Sequence, residues 1–184
     1  MDGLPSTSGK YARLLATLEE AKPLDGIVNG IEPLASRLMA RRSIRALIRG
    51  DTTGIPLHVI LTDAPFGAWW SAVFLDLFKD EDSRRSARRL VGLGVVAAVP
   101  TALSGWATWS DKDRALKRAG IVHAGANAAA TGVYLASWAA RSRGRHELGV
   151  GLARAGAVLL LVSGFLGGHL SSGRHASAHQ LPRG

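Results

Sequence analysis

Residues 148–170 read LGVGLARAGAVLLLVSGFLGGHL. Arg154 and His169 are the only ionisable side chains in that run, which is as long as a helix must be to cross a hydrocarbon core, about twenty residues. Three further stretches have the same character: Leu57 to Phe78, Leu90 to Trp109 and Ala119 to Ala140. The charges crowd into the gaps between them, Lys79 to Arg89, Ser110 to Arg118 and Arg141 to Glu147. This partition predicts an all-α fold, a four-helix transmembrane bundle. Its short connections make sequential helices antiparallel neighbours.

Outward from the bundle the composition changes. Residues 1–9 mix Ser, Gly and Pro with nothing to pack and are expected to be disordered. Residues 10–53 form an amphipathic, basic helical arm. Tyr11, Leu14, Leu15 and Leu18 share one helical face until Lys22-Pro23 interrupts it, and a second pattern runs from Ile27 to Ile48 with Arg37, Arg41, Arg42, Arg45 and Arg49 interleaved. Such a helix can lie in the membrane interface with arginines among phosphates, or pack as a polar helix on the rim of the bundle. Both readings fit the pattern. Residues 54–170 are the membrane domain, and 171–184 return to Ser, Gly, His and Pro as an expected flexible tail.

Composition excludes several classes. The formal net charge is +9, but the basic residues spread over every gap, as expected of flanks that meet anionic headgroups, so lipid rather than nucleic acid is the expected partner. There is no cysteine, which rules out disulfides and any thiolate-ligated zinc or iron–sulfur site on this chain. The first thirty residues carry Pro5, Glu19, Glu20, Pro23 and Asp25 and no continuous apolar run, so a cleavable signal peptide is not expected. Fourteen Lys and Arg fall in the termini and second gap against eight in the first and third. The positive-inside rule then places both termini in the cytoplasm, in a bacterial inner membrane.

Lipid gives helices no hydrophobic reason to associate, so small residues are expected at the seams: Gly125 on the third span and Gly164, Gly167 and Gly168 on the fourth. Pro100 should kink the second span, and Trp106 and Trp109 at its end suit a wet interface. Asp76 and Arg154 are expected near one membrane face, within pairing reach. Three histidines, His58, His123 and His169, open the first span, open the third and close the fourth, which puts them at one end of an alternating bundle. Asp63 lies below His58, where a carboxylate must face the bundle or a partner. His123, Asn127, Thr131, Tyr134 and Trp138 make a polar stripe expected to turn inward. Imidazoles on facing helices are what b-type haem requires for axial ligation, and a His/Asp cluster also suits a divalent metal. They equally suit hydrogen bonding to backbone, water or phosphate. Phosphate loops, nucleophile elbows and paired catalytic carboxylates are missing from the pattern, so an enzyme is not indicated.

PLHVILTDAPFGAWWSAVFLDLF from Pro56, SGWATWSD from Ser104, IVHAGAN from Ile121 and GFLGGHL from Gly164 together resemble the bacterial membrane domain of unknown function 2231. The resemblance runs from Gly54 to Leu170 and implies a four-helix membrane domain, in some relatives fused to a Rieske iron–sulfur domain. It places His58, Asp63, Pro65, Gly67, Asp76, Gly105, His123, Asn127, Gly167 and Gly168 on motif positions. Ile55, Val59 and Thr108 depart from it where relatives carry histidine, proline and aspartate, which weakens a shared metal site. The leading expectation is therefore a non-catalytic anchor or accessory subunit, as monomer or homo-oligomer, with a redox partner, iron–sulfur or other, on a separate chain. The alternative is a small b-type haem or metal-binding electron-transfer protein using His58, His123 and His169.

Overall fold

The structure, a computed structural model, describes residues 7–51 and 54–178, without the side chains of 7–12, Leu38, His169 and 171–178. Among the described residues it is all-α: α1 (Thr7–Glu19), a 3-10 turn (Lys22–Leu24), α2 (Asp25–Leu38), α3 (Arg42–Arg49), α4 (Leu57–Leu75), α5 (Glu81–Ser110), α6 (Arg114–Ser142) and α7 (His146–Ala178). The expected disordered segment lies mostly outside the described residues. Past Leu170, where composition suggests a tail, the helical backbone of α7 continues to Ala178.

Local chemistry sets the ends of these helices. Asp80 caps α5 by accepting from the Ser83 N–H at 2.8 Å, and Asp113 caps α6 by accepting from the Leu116 N–H at 2.9 Å. Gly144 turns left-handed (φ 76°) after α6, which lets the Arg145 N–H reach the Ala140 carbonyl at 2.9 Å. Pro65 inside α4 removes the donor for the Leu61 carbonyl. Thr101 on α5 supplies another, its Oγ1 lying 2.9 Å from that oxygen and 2.8 Å from the Ala97 carbonyl of its own helix.

All four apolar stretches fold as long helices, but only α5 and the 146–168 part of α7 are long and apolar enough to cross a membrane by length and composition alone. The reason lies in the other two sequences. His58, Asp63, Pro65 and two tryptophans dilute α4, and Ala and Gly make up much of α6. Large apolar side chains nevertheless face outward on every one of the four, among them Ile60 and Phe74, Val96 and Val99, Leu135, and Val158 and Phe165.

The four long helices form two antiparallel hairpins, α4 with α5 and α6 with α7, and the hairpins repeat each other. Asp76 and Arg141 are 65 positions apart, and the same spacing relates His58 to His123, Trp69 to Tyr134 and Ala72 to Ser137. A second constant offset relates Val91 to Ala153, Gly94 to Gly156, Thr101 to Ser163 and Gly105 to Gly167. The contacts match as well as the positions. The Trp69 ring sits where a Cβ on Gly94 would stand, and the Tyr134 ring sits likewise against Gly156. Equivalent residues also meet: Trp69 stacks on Tyr134 with centroids 4.2 Å apart and planes 2° from parallel. The bundle therefore has an approximate twofold axis along the helices, as parallel internal repeats do.

Asp76 and Arg141 close that axis at one end. Their side chains are each 1% exposed, and the guanidinium grips the carboxylate through two bonds of 2.7 and 2.5 Å. Ser137 Oγ accepts from Arg141 Nε at 3.2 Å and donates to the Gly149 carbonyl at 2.6 Å, tying the pair to α7. Arg141, which the sequence places in a loop, is thus the partner of Asp76, and Arg154 is exposed.

The arm packs on the rim at the other end. Val28 and Ala35 of α2 are buried against Trp109, with Ile31, Trp106 and Ile121 around them. Trp109 is 6% exposed and donates Nε1–H to the Lys117 carbonyl at 2.9 Å, so its polar edge is satisfied by protein rather than by the expected wet interface. Arg118 holds Asp25 through two bonds of 2.8 Å, Arg114 lies 3.1 Å from the same carboxylate, and Lys117 pairs with Glu32. These cations, Arg118 foremost for Asp25 and Lys117 for Glu32, hold both carboxyls below their ordinary values of 3.8 and 4.5.

Two outcomes follow for stability. Asp76→Asn leaves a buried guanidinium without its counter-charge and should cost about 3–5 kcal/mol, read as a loss of thermal stability in detergent. Because the two positions are near-equivalent about the axis, the double exchange Asp76→Arg with Arg141→Asp should recover most of it, and failure of the exchange to do better than either single change would refute the equivalence. For the arm, a depressed carboxyl stabilises the docked state above its unfolded value and loses that contribution as pH falls through the folded one. The carboxylates' contribution to docking should be complete above about pH 4.5 and fall away progressively below it, seen as a reversible change in Trp106 and Trp109 fluorescence that is smaller in Asp25→Asn with Glu32→Gln.

Candidate functional site

The paired histidines are the chemistry that the repeat places in register. His58 stands on the first turn of α4, and its Nδ1 lies 3.2 Å from the Thr101 carbonyl and 3.1 Å from Ser104 Oγ on α5. His123, one hairpin later, repeats this on α7: Nδ1 is 3.0 Å from the Ser163 carbonyl and 3.1 Å from Ser163 Oγ. Each imidazole edge rests on a glycine, since a Cβ at Gly105 would come within 3.0 Å of His58 Cε1 and one at Gly167 within 2.9 Å of His123 Cε1. A carbonyl facing Nδ1 selects the tautomer that carries its proton there, which leaves Nε2 as the basic nitrogen. Asn127, one turn below His123, donates Nδ2–H to that Nε2 at 3.0 Å. Both rings are half-buried.

The remaining candidates divide between the interior and the surface. Tyr134 is fully buried, and its hydroxyl has no hydrogen-bond partner. Thr131 is half-buried beside it on α6, but Trp138 at the end of the polar stripe is 42% exposed. The stripe therefore turns out of the interior as it descends. Asp63 is exposed on the outer side of α4. The His169 side chain lies outside the described ones, although its backbone belongs to α7 at the end where Lys112 Nζ donates to the Leu170 carbonyl at 3.1 Å. Among the described residues no group of three or more His, Asp or Glu is placed to hold a metal ion.

The expected glycine seams are differently used. Among the described residues, a Cβ at Gly125, Gly164 or Gly168 would meet nothing within 4 Å, so none of the three receives a facing side chain at its Cβ position, while Gly167 makes room for His123. The glycines that do bring helices together include Gly92, Gly94, Gly120, Gly149 and Gly156, each receiving a side chain of the facing helix: Trp138, Trp69, Trp109, Arg141 and Tyr134. Sequence reasoning looked for backbone meeting backbone at paired glycines. The bundle instead packs a large side chain into each glycine notch, and the spacing of those large residues was the available signal.

Comparison with curated proteins and with solved structures finds no match. A family model described as "predicted membrane protein", the domain of unknown function 2231, matches residues 54–179. That span takes in both hairpins, the paired histidines and the Asp76–Arg141 joint, and the chain belongs to this family of membrane proteins.

Proposed function

We propose that the chain is a four-span protein of the bacterial cytoplasmic membrane, with both termini inside, acting as an anchor or accessory subunit for a separate protein. Two observations support four crossings rather than two. His58 near the start of α4 bonds the far end of α5, and Lys112 after α5 bonds the end of α7, so α5 and α7 run in the same direction. A chain that crosses twice in one direction must return between, through α6, and α4 lies antiparallel along α5.

The observation that carries the anchor reading is the arm. It is clamped to the bundle through Asp25 and Glu32, yet Ile27, Leu34, Ile44 and Leu47 are 49, 64, 40 and 46% exposed on its outer side. An apolar face of that kind, held rigidly at the rim, suits a protein partner. A redox protein is the partner class that the family's Rieske fusions suggest.

A second reading has its own support. A ligating histidine almost always gives its other ring nitrogen to a carbonyl or hydroxyl, and His58 and His123 both do so. On this reading His58 and His123 would hold a b-type haem through Nε2, with Gly105 and Gly167 beside the rings; on His123 the Asn127 amide would have to leave. Such a haem would supply one-electron transfer.

Two measurements separate the readings. A photo-crosslinking residue at Leu34 or Leu47, in cells, should give a protein adduct of discrete mass; lipid adducts alone would contradict the accessory role. An absorption spectrum of the purified protein, oxidised and dithionite-reduced, should lack a Soret band. A band present in the wild type and lost in His58→Ala or His123→Ala would establish the cytochrome instead.

A further inference from the structure

A second polar feature lies at the opposite end of the bundle from the histidines. The end of α4, the start of α5 and the start of α7 enclose a cleft of about 510 Å³, lined among others by Lys79, Arg84, His146, Glu147 and Arg154. Asp76 also borders it, but its charge is taken by Arg141. Among the described residues no carboxylate pairs with Lys79, Arg84 or Arg154, and Glu147 is the one remaining acid on the wall. The Nε of Arg84 is buried without a hydrogen-bond partner. The first turn of α7, from His146, adds backbone N–H groups that its own helix does not use.

We propose that this cleft binds a phosphate group, presented in the membrane by an anionic phospholipid headgroup. Basic pockets between membrane helices bind headgroups by setting guanidinium and ammonium groups around the phosphate. The surroundings favour a lipid over a free anion. Phe78 and Val150 form an apolar part of the wall, and Phe74, Leu77 and Leu148 stand exposed just beyond it. α4 and α7 touch only sparsely, which leaves a seam along which an acyl chain can lie.

The test uses the full chain purified in detergent and delipidated, titrated with phosphatidylglycerol or phosphatidylcholine and read by native mass spectrometry. Phosphatidylglycerol should bind selectively, and Arg84→Gln with Arg154→Gln should weaken it by about tenfold or more, while Arg143→Gln, away from the cleft, leaves it unchanged. Glu147→Gln, which removes the acid without opening the fold, should strengthen it and keeps the test decisive should the arginine variant fail to fold. Inorganic phosphate that shifts the His146 imidazole resonance by NMR, with no preference between lipids, would assign the phosphate to a soluble source. Equal, variant-insensitive binding of both lipids with no response of His146 to phosphate would overturn the proposal.

Discussion

The ion pair between Asp76 and Arg141 is the interaction on which the architecture turns. Two ions are expensive to bury, and the pair is tolerable only because the geometry is bidentate and Ser137 accepts the remaining Nε–H. Its place matters more than its strength. It joins the ends of α4 and α6, the first helices of the two hairpins, at positions equivalent under the internal twofold. A bond between equivalent residues fixes the hairpins against sliding and rotation together. The Trp69–Tyr134 stack, two turns away, repeats that constraint with aromatic rings.

Around this joint the bundle meets a demand of a membrane interior, close packing of helices without loss of polar pairing across the seams. Side chains from one helix enter glycine notches in the next, which brings the helices together without help from a hydrophobic effect. Polar groups on those side chains then bond carbonyls across the seam: Trp69 Nε1 to Val91, Thr101 to Leu61, the two histidines to Thr101 and Ser163. The Thr101 bond shows why the proline in α4 is harmless, since the carbonyl that Pro65 deprives is served from α5. The apolar residues left over point outward, where lipid receives them.

Much of this was legible in the sequence. Apolar runs separated by charged gaps located all four long helices, and alternation of direction put the histidines at one end. The internal repeat was not legible, because its equivalent residues differ in chemistry: tryptophan faces tyrosine and aspartate faces arginine. Identity survives at few positions: His58 with His123, a few glycines, and scattered small or apolar residues such as Ala64 with Ala129 and Val96 with Val158. Arg141 escaped for a related reason. Its position after an apolar run marked it as a loop residue, whereas α6 continues to Ser142 and turns the guanidinium inward. The arm's docking was not legible because a basic amphipathic pattern fits a lipid surface and a protein rim equally well. The acidic residues that dock it, Asp25 and Glu32, have meaning only beside Arg114, Lys117 and Arg118.

The central claim is that the two hairpins cross the membrane together, in four passes. The chain has no cysteine, so single cysteines can be introduced at Ala40, Asp82 and Ser142, all exposed, and labelled in intact cells with a membrane-impermeant maleimide. The account predicts that Asp82→Cys and Ser142→Cys label together from outside, while Ala40→Cys labels only after the membrane is opened. Ala40→Cys and Asp82→Cys reacting from the same side would contradict it, because α4 would then not cross.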